Sequence, residues 1–332
     1  MGLAAGAART VAPGLVKADI VQAPSPDNVM YWDPIYALQV LPQSRTIRGA
    51  SVKQLALAAL AAVEVQLSDL TRPWMLHVLV PGQFKGMPNP PMARRAELIA
   101  QAIGHELKSR KRRIFKLLNT EEPEFLLQIL LLETEVAVMA FSPLLRFAPN
   151  MRWPSVLPAG LADVADDLAA PASSFRKLKE AMYCMAISPN PSDLTVDLGA
   201  APGGWTHVLR KCGAHVTAVD RANLADHLMR DEQVNWVNGD AFAYEPAGQI
   251  AWLVSDIIAF PERVPELLRR WCSNRWMRHF VVQMKFKGEP DWLQLQRALS
   301  VASEHGYFAR AKHFFNDKNE VTIMGTLQPT PA

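Results

Sequence analysis

The chain has 332 residues, which predicts about two domains, and its content of 49% hydrophobic, 20% charged and 8% aromatic residues excludes a disordered or collagen-like polypeptide. Thirty-five Lys and Arg against 32 Asp and Glu leave a charge of +3, too mild by itself to demand a nucleic-acid partner, so the placement of charge carries the information. Cys184, Cys212 and Cys272 include no C-x-x-C pair and predict neither a disulfide framework nor a zinc site, which suits a reducing, cytoplasmic compartment.

The opening residues carry no continuous apolar leader, and no apolar run reaches the ~18 residues of a membrane span, so no membrane partner is expected. Residues 1–39, rich in Ala, Gly and Pro over most of their length, read as a mobile tail. From Ser51 to Leu67, strong helix formers behind a Ser cap, with Leu55, Ala59, Ala62 and Val63 among the apolar positions, predict a helix. MLHVLV (75–80) predicts a strand ending at Pro81-Gly82, and a second helix is expected over about 93–118, with Leu98, Ile99, Ala102 and Ile103 on one stripe. EFLLQILLL and EVAVMAFS, separated by Glu133-Thr134, predict a hairpin. The result is an α-β-α-β-β module over 40–147.

Prolines at 143, 149, 154, 158 and 171 mark a linker over 148–172. Beyond it, over 173–328, LTVDLG, HVTAVD, VNWVNGD, AWLVSDII and HFVVQMKF alternate with helical segments, the pattern of a mostly parallel sheet covered on both faces. FARAKHFF and EVTIMGTL then predict a closing antiparallel edge. The fold class is therefore α/β, preceded by a smaller α+β domain.

The chemistry concentrates in DLGAAPGGWT, which joins a strand to a helix. Gly199, Gly203 and Gly204 allow a tight turn and close backbone approach to a ligand, and the helix that follows offers unpaired N–H groups. The turn is not G-x-G-x-x-G, since Ala201 and Pro202 occupy its centre, which disfavours a nicotinamide cofactor. Asp220 ends the next strand, about 23 residues after Asp197, near the spacing at which an acid meets ribose hydroxyls. Asp240 in NGDAF closes the third strand, where it could accept from an adenine amino group. Acids at successive strand ends favour an adenosine-containing cofactor.

These segments resemble the FtsJ-like (RrmJ-type) ribose 2′-O-methyltransferases. SSFRKLKEAM, DLGAAPGGWT, VNWVNGDAF, the SDII strand end, VVQMKFK and HFFNDKNEVTI occur in that family's order. The resemblance implies a Rossmann-like domain that uses S-adenosyl-L-methionine, held by Ser174, Asp197, Gly199, Ala201, Pro202, Gly203, Gly204, Trp205, Asp220, Asp240 and Asp256. It is strongest to the branch that methylates a ribose of bacterial 23S rRNA and carries a THUMP RNA-binding domain, which residues 40–147 match only in element order. It also implies a Lys-Asp-Lys-Glu tetrad of Lys177, Asp256, Lys285 and Glu320, with Lys179 competing for the first position and Lys287 for the third. Lys287 would share a strand face with Lys285.

The chemistry accommodates such a tetrad. A ribose hydroxyl needs a base within ~3 Å, and an amine serves only when neutral, a form favoured by burial and a second nearby cation. The four groups would titrate as one coupled set. Positioning can supply much of the acceleration, and no metal is expected.

RNA contact is expected of KSRKRRIFK, where Lys108, Arg110, Lys111, Arg112, Arg113 and Lys116 could neutralise phosphates; a solvated helix end is the competing reading. Arg269, Arg270, Arg275 and Arg278, interleaved with Trp271 and Trp276, form a second candidate patch beside the catalytic end, unless the tryptophans only cover the sheet. The partner is then RNA, 23S rRNA or a large-subunit precursor, with a monomer the favoured state. The alternative function is a non-catalytic RNA-binding ribosome assembly factor that keeps the fold.

Overall fold

The computed structural model describes residues 9–12, 15–18, 34–81, 90–146, 152–162 and 164–328. The chain divides into two compact units, one of residues 1–33 and 39–161, the other of 34–38 and 162–332. Among the described residues no helix is long and apolar enough to cross a membrane.

In the first unit β1 (Arg9–Ala12) pairs antiparallel with β2 (Leu15–Lys17). A four-stranded sheet follows, built from β3 (Arg45–Arg48), β4 (Trp74–Leu79), β5 (Phe125–Leu131) and β6 (Val136–Pro143) in the order β3-β6-β5-β4. The β5–β6 hairpin is antiparallel and β4–β5 parallel, so the chain must cross over between them. It does so through α3 (Pro90–Arg110) and α4 (Arg112–Lys116). Helices α1 (Val52–Ala62) and α2 (Glu64–Ser68) precede β4, and Leu55, Ala59, Ile99 and Ile103 pack with Leu127 and Ile129 in one core.

Several expectations are corrected here. The helix read over 51–67 breaks at Val63 (φ −120°, ψ 17°), and the one over 93–118 breaks at Lys111 (φ −134°, ψ 56°). Leu98 lies outward while Ile99 and Ile103 are buried. β3 was absent from the sequence reading because Ile47 is its only buried side chain. The 1–39 tail contains the β1–β2 pair, and its residues 34–38 group with the second unit, where His313 N donates to Ile35 O at 2.8 Å. The remainder of that tail lies outside the described residues. Within the 148–172 linker, β8 (Arg152–Trp153) pairs with β7 (Leu145–Arg146), and residues 152–161 belong to the first unit.

The second unit is built on β9 (Leu194–Leu198), β10 (His215–Asp220), β11 (Val234–Asn238), β12 (Ile250–Ser255), β13 (Met277–Lys285), β14 (Tyr307–Lys312) and β15 (Glu320–Leu327). Their order is β11-β10-β9-β12-β13-β15-β14, parallel except for β15, which runs antiparallel to both neighbours. This is the expected mostly parallel sheet with an antiparallel edge. Phe280, Val282 and Met284 enter a core with α7 (Arg263–Ser273) and α8 (Trp292–Glu304). Strand alternation turns Gln283 and Lys285 to the other face, the side of α5 (Phe175–Met185) and α6 (Gly204–Lys211).

The turn from β9 into α6 depends on glycine at two points. Gly199 has φ +73°, and a Cβ there would come within 3.0 Å of Ile257; Gly203 has φ +109°, and its Cβ would overlap the Leu228 side chain. Replacing Gly203 by Ala should cost about 1–2 kcal/mol from the left-handed backbone alone, with further loss as Leu228 repacks. Chemical denaturation of the two proteins measures it, and equal stability would show that the turn relaxes freely.

Candidate active site

Four charged side chains meet at one edge of the second unit. β13 and β15 place Lys285 directly opposite Glu320 in register. β12 runs parallel to β13 and ends at Ser255, so Asp256 leaves the sheet beside them. α5 brings Lys177 over the same spot. Lys177 Nζ lies 2.5 Å from Glu320 Oε1 and 3.4 Å from Asp256 Oδ1, while Lys285 Nζ lies 2.9 Å from Asp256 Oδ1 and donates to Asp256 O at 2.8 Å. Both ammonium groups therefore share one carboxylate oxygen.

The alternatives from the sequence do not join this cluster. Lys179 sits 5.8 Å from the Phe175 ring centroid and Lys287 4.5 Å from that of Phe260. The strand ends at Lys285, so alternation no longer governs Lys287.

Burial rises through the network. Side-chain exposure falls from 22% at Lys285 to 17% at Asp256, 11% at Lys177 and 5% at Glu320, so Lys285 is the end that a substrate can reach. Burial alone would lower the pKa of Lys177, but Asp256 and Glu320 outweigh it and raise the pKa above the usual lysine value. Lys177 is thus a fixed cation. Lys285 donates one hydrogen bond, to Asp256 O, and pairs with Asp256 Oδ1 by charge, while an ammonium has three donors.

A second layer, not singled out in the sequence, holds the loop before β15. Glu180, one helical turn after Lys177, accepts from Asn316 N at 2.9 Å and Asn316 Nδ2 at 2.8 Å. Asp317 accepts from Phe314 N at 2.9 Å, Thr322 Oγ1 at 3.0 Å and Gln283 Nε2 at 3.3 Å. The polar run NDKNE was the available signal.

On the other side of β12 lie the residues expected to hold a cofactor. Asp197 is 1% exposed and takes the Thr206 hydroxyl at 2.7 Å, so it fastens the turn from inside rather than facing a ligand; burial pushes its pKa up to about 7. Asp220 accepts from Ala201 N and Ala222 N, both at 2.9 Å, one on each oxygen, which leaves lone pairs for hydroxyl donors. Asp240 accepts from Phe242 N at 2.8 Å and pairs with Arg221 at 3.0 Å. Pro202 O accepts from Ala225 N at 2.9 Å, and the Trp205 indole donates to Ser174 O at 2.8 Å. The space where a Gly204 Cβ would stand is taken by Ser174 Oγ at 2.7 Å, so packing by itself requires this glycine. α6 has no side-chain hydrogen bond at its Gly203 cap.

This donor set fits an adenosyl amino acid: acids at the ends of β10 and β11 for hydroxyl and amino donors, and a helix N-terminus for a carboxylate. The fold and site define a Rossmann-like methyltransferase. The family model described as FtsJ-like methyltransferase matches residues 172–276. Ribosomal RNA large subunit methyltransferase M of Xanthomonas campestris pv. campestris is 30% identical over 305 residues, covering 87% of this chain and 81% of that protein. Its namesakes from Halorhodospira halophila and Alkalilimnicola ehrlichii are 33% and 36% identical over 178 and 177 residues, matches that span 51% and 49% of those proteins. The chain belongs to the family of ribosomal RNA large subunit methyltransferase M. It is an S-adenosylmethionine-dependent methyltransferase.

The two basic patches change on inspection. Arg113 donates to Ser68 O and Leu70 O, Lys111 pairs with Glu64 and Arg110 with Glu106, which leaves Lys108, Arg112 and Lys116 without an ion pair among the described residues. The Arg269–Arg278 group stands at the wrong end of the sheet. Arg278 is the second residue of β13 and Lys285 closes it, about 23 Å away at strand rise. Arg270 donates to Tyr244 O and Trp271 is fully buried.

Burial also pushes the Asp317 pKa up to about 7, from 3.8. The folded chain then keeps a proton that the unfolded chain has released, so this group's contribution to stability is present below pH ~4 and lost as pH rises through about 7. Asp317→Asn should match the parent protein near pH 4 and exceed it at pH 8, since the amide carries no charge to bury. Urea denaturation across that range reads the difference, and a constant gap would mean that the carboxyl ionises unhindered.

Proposed function

We propose that the protein methylates a ribose 2′-hydroxyl at a single nucleotide of large-subunit (23S) rRNA, with Lys285 as general base in the Lys177–Asp256–Lys285–Glu320 tetrad. The observation that carries this reading is the graded network, in which the one lysine open to a substrate is fixed by the same carboxylate that holds a permanent cation. When bound, S-adenosylmethionine supplies an electrophilic methyl group on a sulfonium centre. Lys285, once neutral, accepts the hydroxyl proton on its nitrogen lone pair while its N–H to Asp256 O keeps it in place. Asp256 orients that amine, and Lys177 limits how strongly Asp256 holds the ammonium form. Glu320 keeps Lys177 in place.

The names of the relatives support rRNA as substrate, and the FtsJ-like match supports the 2′-hydroxyl as acceptor. The first unit, THUMP-like in its element order, would hold the RNA through Lys108, Arg112 and Lys116. An assembly factor without activity would have no use for the four-residue network.

Lys285→Ala should bind S-adenosylmethionine in calorimetry as the parent does, yet lose at least about 100-fold in methyl transfer. Mapping 2′-O-methyl positions in rRNA from cells with and without the protein identifies the nucleotide; unimpaired turnover by the variant would remove Lys285 from its role. Replacing Lys108, Arg112 and Lys116 together by Ala should reduce the slope of log affinity against log salt by about 2. An unchanged slope would place the RNA elsewhere.

A further inference from the structure

The cavity beside the tetrad, about 630 Å³, has walls that proton abstraction does not use. Besides Lys177, Lys285 and Glu320 it is lined by Ile258, Phe260, Lys287 and Lys318. Ile258 and Phe260 are 88% and 60% exposed, on the segment that directly follows Asp256. Two large apolar side chains left in water next to a reactive amine call for an occupant. The polar part of the wall is cationic. Lys287 and Lys318 are exposed and form no ion pair among the described residues, whereas Arg176, also on the wall, is matched by Asp166. The one carboxylate on the wall, Glu320, is itself buried against Lys177.

Lys287 Nζ stands over one face of the Phe260 ring, 4.5 Å from its centroid, so a base would take the other face, and an aromatic ring with nearby ammonium groups is a surface on which single-stranded nucleic acid binds, base to ring and phosphate to lysine. The volume suits one small ligand and excludes a duplex. We infer that this cavity receives the acceptor nucleotide drawn out of its stack, its base resting on Phe260 beside Ile258 and its phosphates met by Lys287 and Lys318, which sets the ribose at Lys285. The inference rests on the proposed function and names how that site holds its substrate. Phe260 is a binding residue, and Lys287, two positions beyond the base, is a phosphate contact.

The test uses the full-length protein and large-subunit rRNA purified from cells that lack it. Phe260→Ala should lose about tenfold in kcat/KM, Phe260→Trp should recover most of it, and both should keep the parent's affinity for S-adenosylmethionine and its melting temperature. Lys287→Ala should lower the salt slope by about 0.7. Phe260→Ala that equals the parent, or Phe260→Trp no better than Ala, overturns the stacking site while the parent's own methylation of the rRNA leaves the function standing. If the parent transfers no methyl to that rRNA, the functional reading fails and this inference with it.

Discussion

One carboxylate organises the catalytic end of the molecule. Asp256 holds two ammonium groups on a single oxygen, and without it Lys177 and Lys285 would repel each other in partly dehydrated surroundings, where unit charges interact several-fold more strongly than in water. The sheet explains why this residue can do so. Asp256 follows the last residue of β12, the central strand at which the order reverses, so the chain emerges between β9 and β13, where Lys177 of α5 meets it. Gly199, at the end of β9, abuts Ile257 there so closely that a Cβ would crowd it. The turn expected to hold the methyl donor and the loop that carries the carboxylate shared by Lys177 and Lys285 are thus packed against one another.

The network is asymmetric, and in the proposed mechanism this asymmetry favours Lys285 as the reacting amine. Lys177 lies between two carboxylates and remains charged, while Lys285 shares only Asp256 and faces the cavity. A cation that cannot leave is useful next to an amine that must become neutral, since it draws on the same negative charge. Glu180 and Asp317 extend this arrangement outward: they fix the loop that leads into β15, and through it the position of Glu320. Burying these acids has a cost, seen in the raised pKa of each, and the backbone N–H groups they accept from offset part of it.

Much of this was legible in the sequence because parallel sheets put chemistry at strand ends, and strand ends are marked by where an apolar run meets Gly or Asp. The turn after β9 and the acids at 197, 220, 240 and 256 follow from that rule. Lys177 against Lys179 and Lys285 against Lys287 did not follow, because the choice depends on Glu320, brought in by β15 from far along the chain. The basic run misled for the same reason. Its six cations are adjacent in sequence, but Lys111 and Arg113 are spent on Glu64, Ser68 and Leu70, more than forty residues earlier. The helix breaks at Val63 and Lys111 likewise have no local breaker residue. The Arg269–Arg278 group was placed at the wrong end because charge and tryptophan content carry no strand direction.

The glycine turn shows how a motif can be read correctly and for an incomplete reason. Glycine density suggested room for a ligand, yet Ile257, Leu228 and Ser174 already stand where side chains at 199, 203 and 204 would go. Asp197, which opens the motif, is closed inside it with Thr206. The turn is therefore held rigid by its own packing before any ligand is considered, and the groups left outward are the α6 N-terminus, Asp220 and Asp240. A preorganised cradle loses little entropy on binding. The same logic applies on the acceptor side, where Asp256 and the loop before β15 fix Lys285 in advance. The exposed segment with Ile258 and Phe260 is the part of that side not held by such contacts, and in the inference above it is the part that meets the RNA.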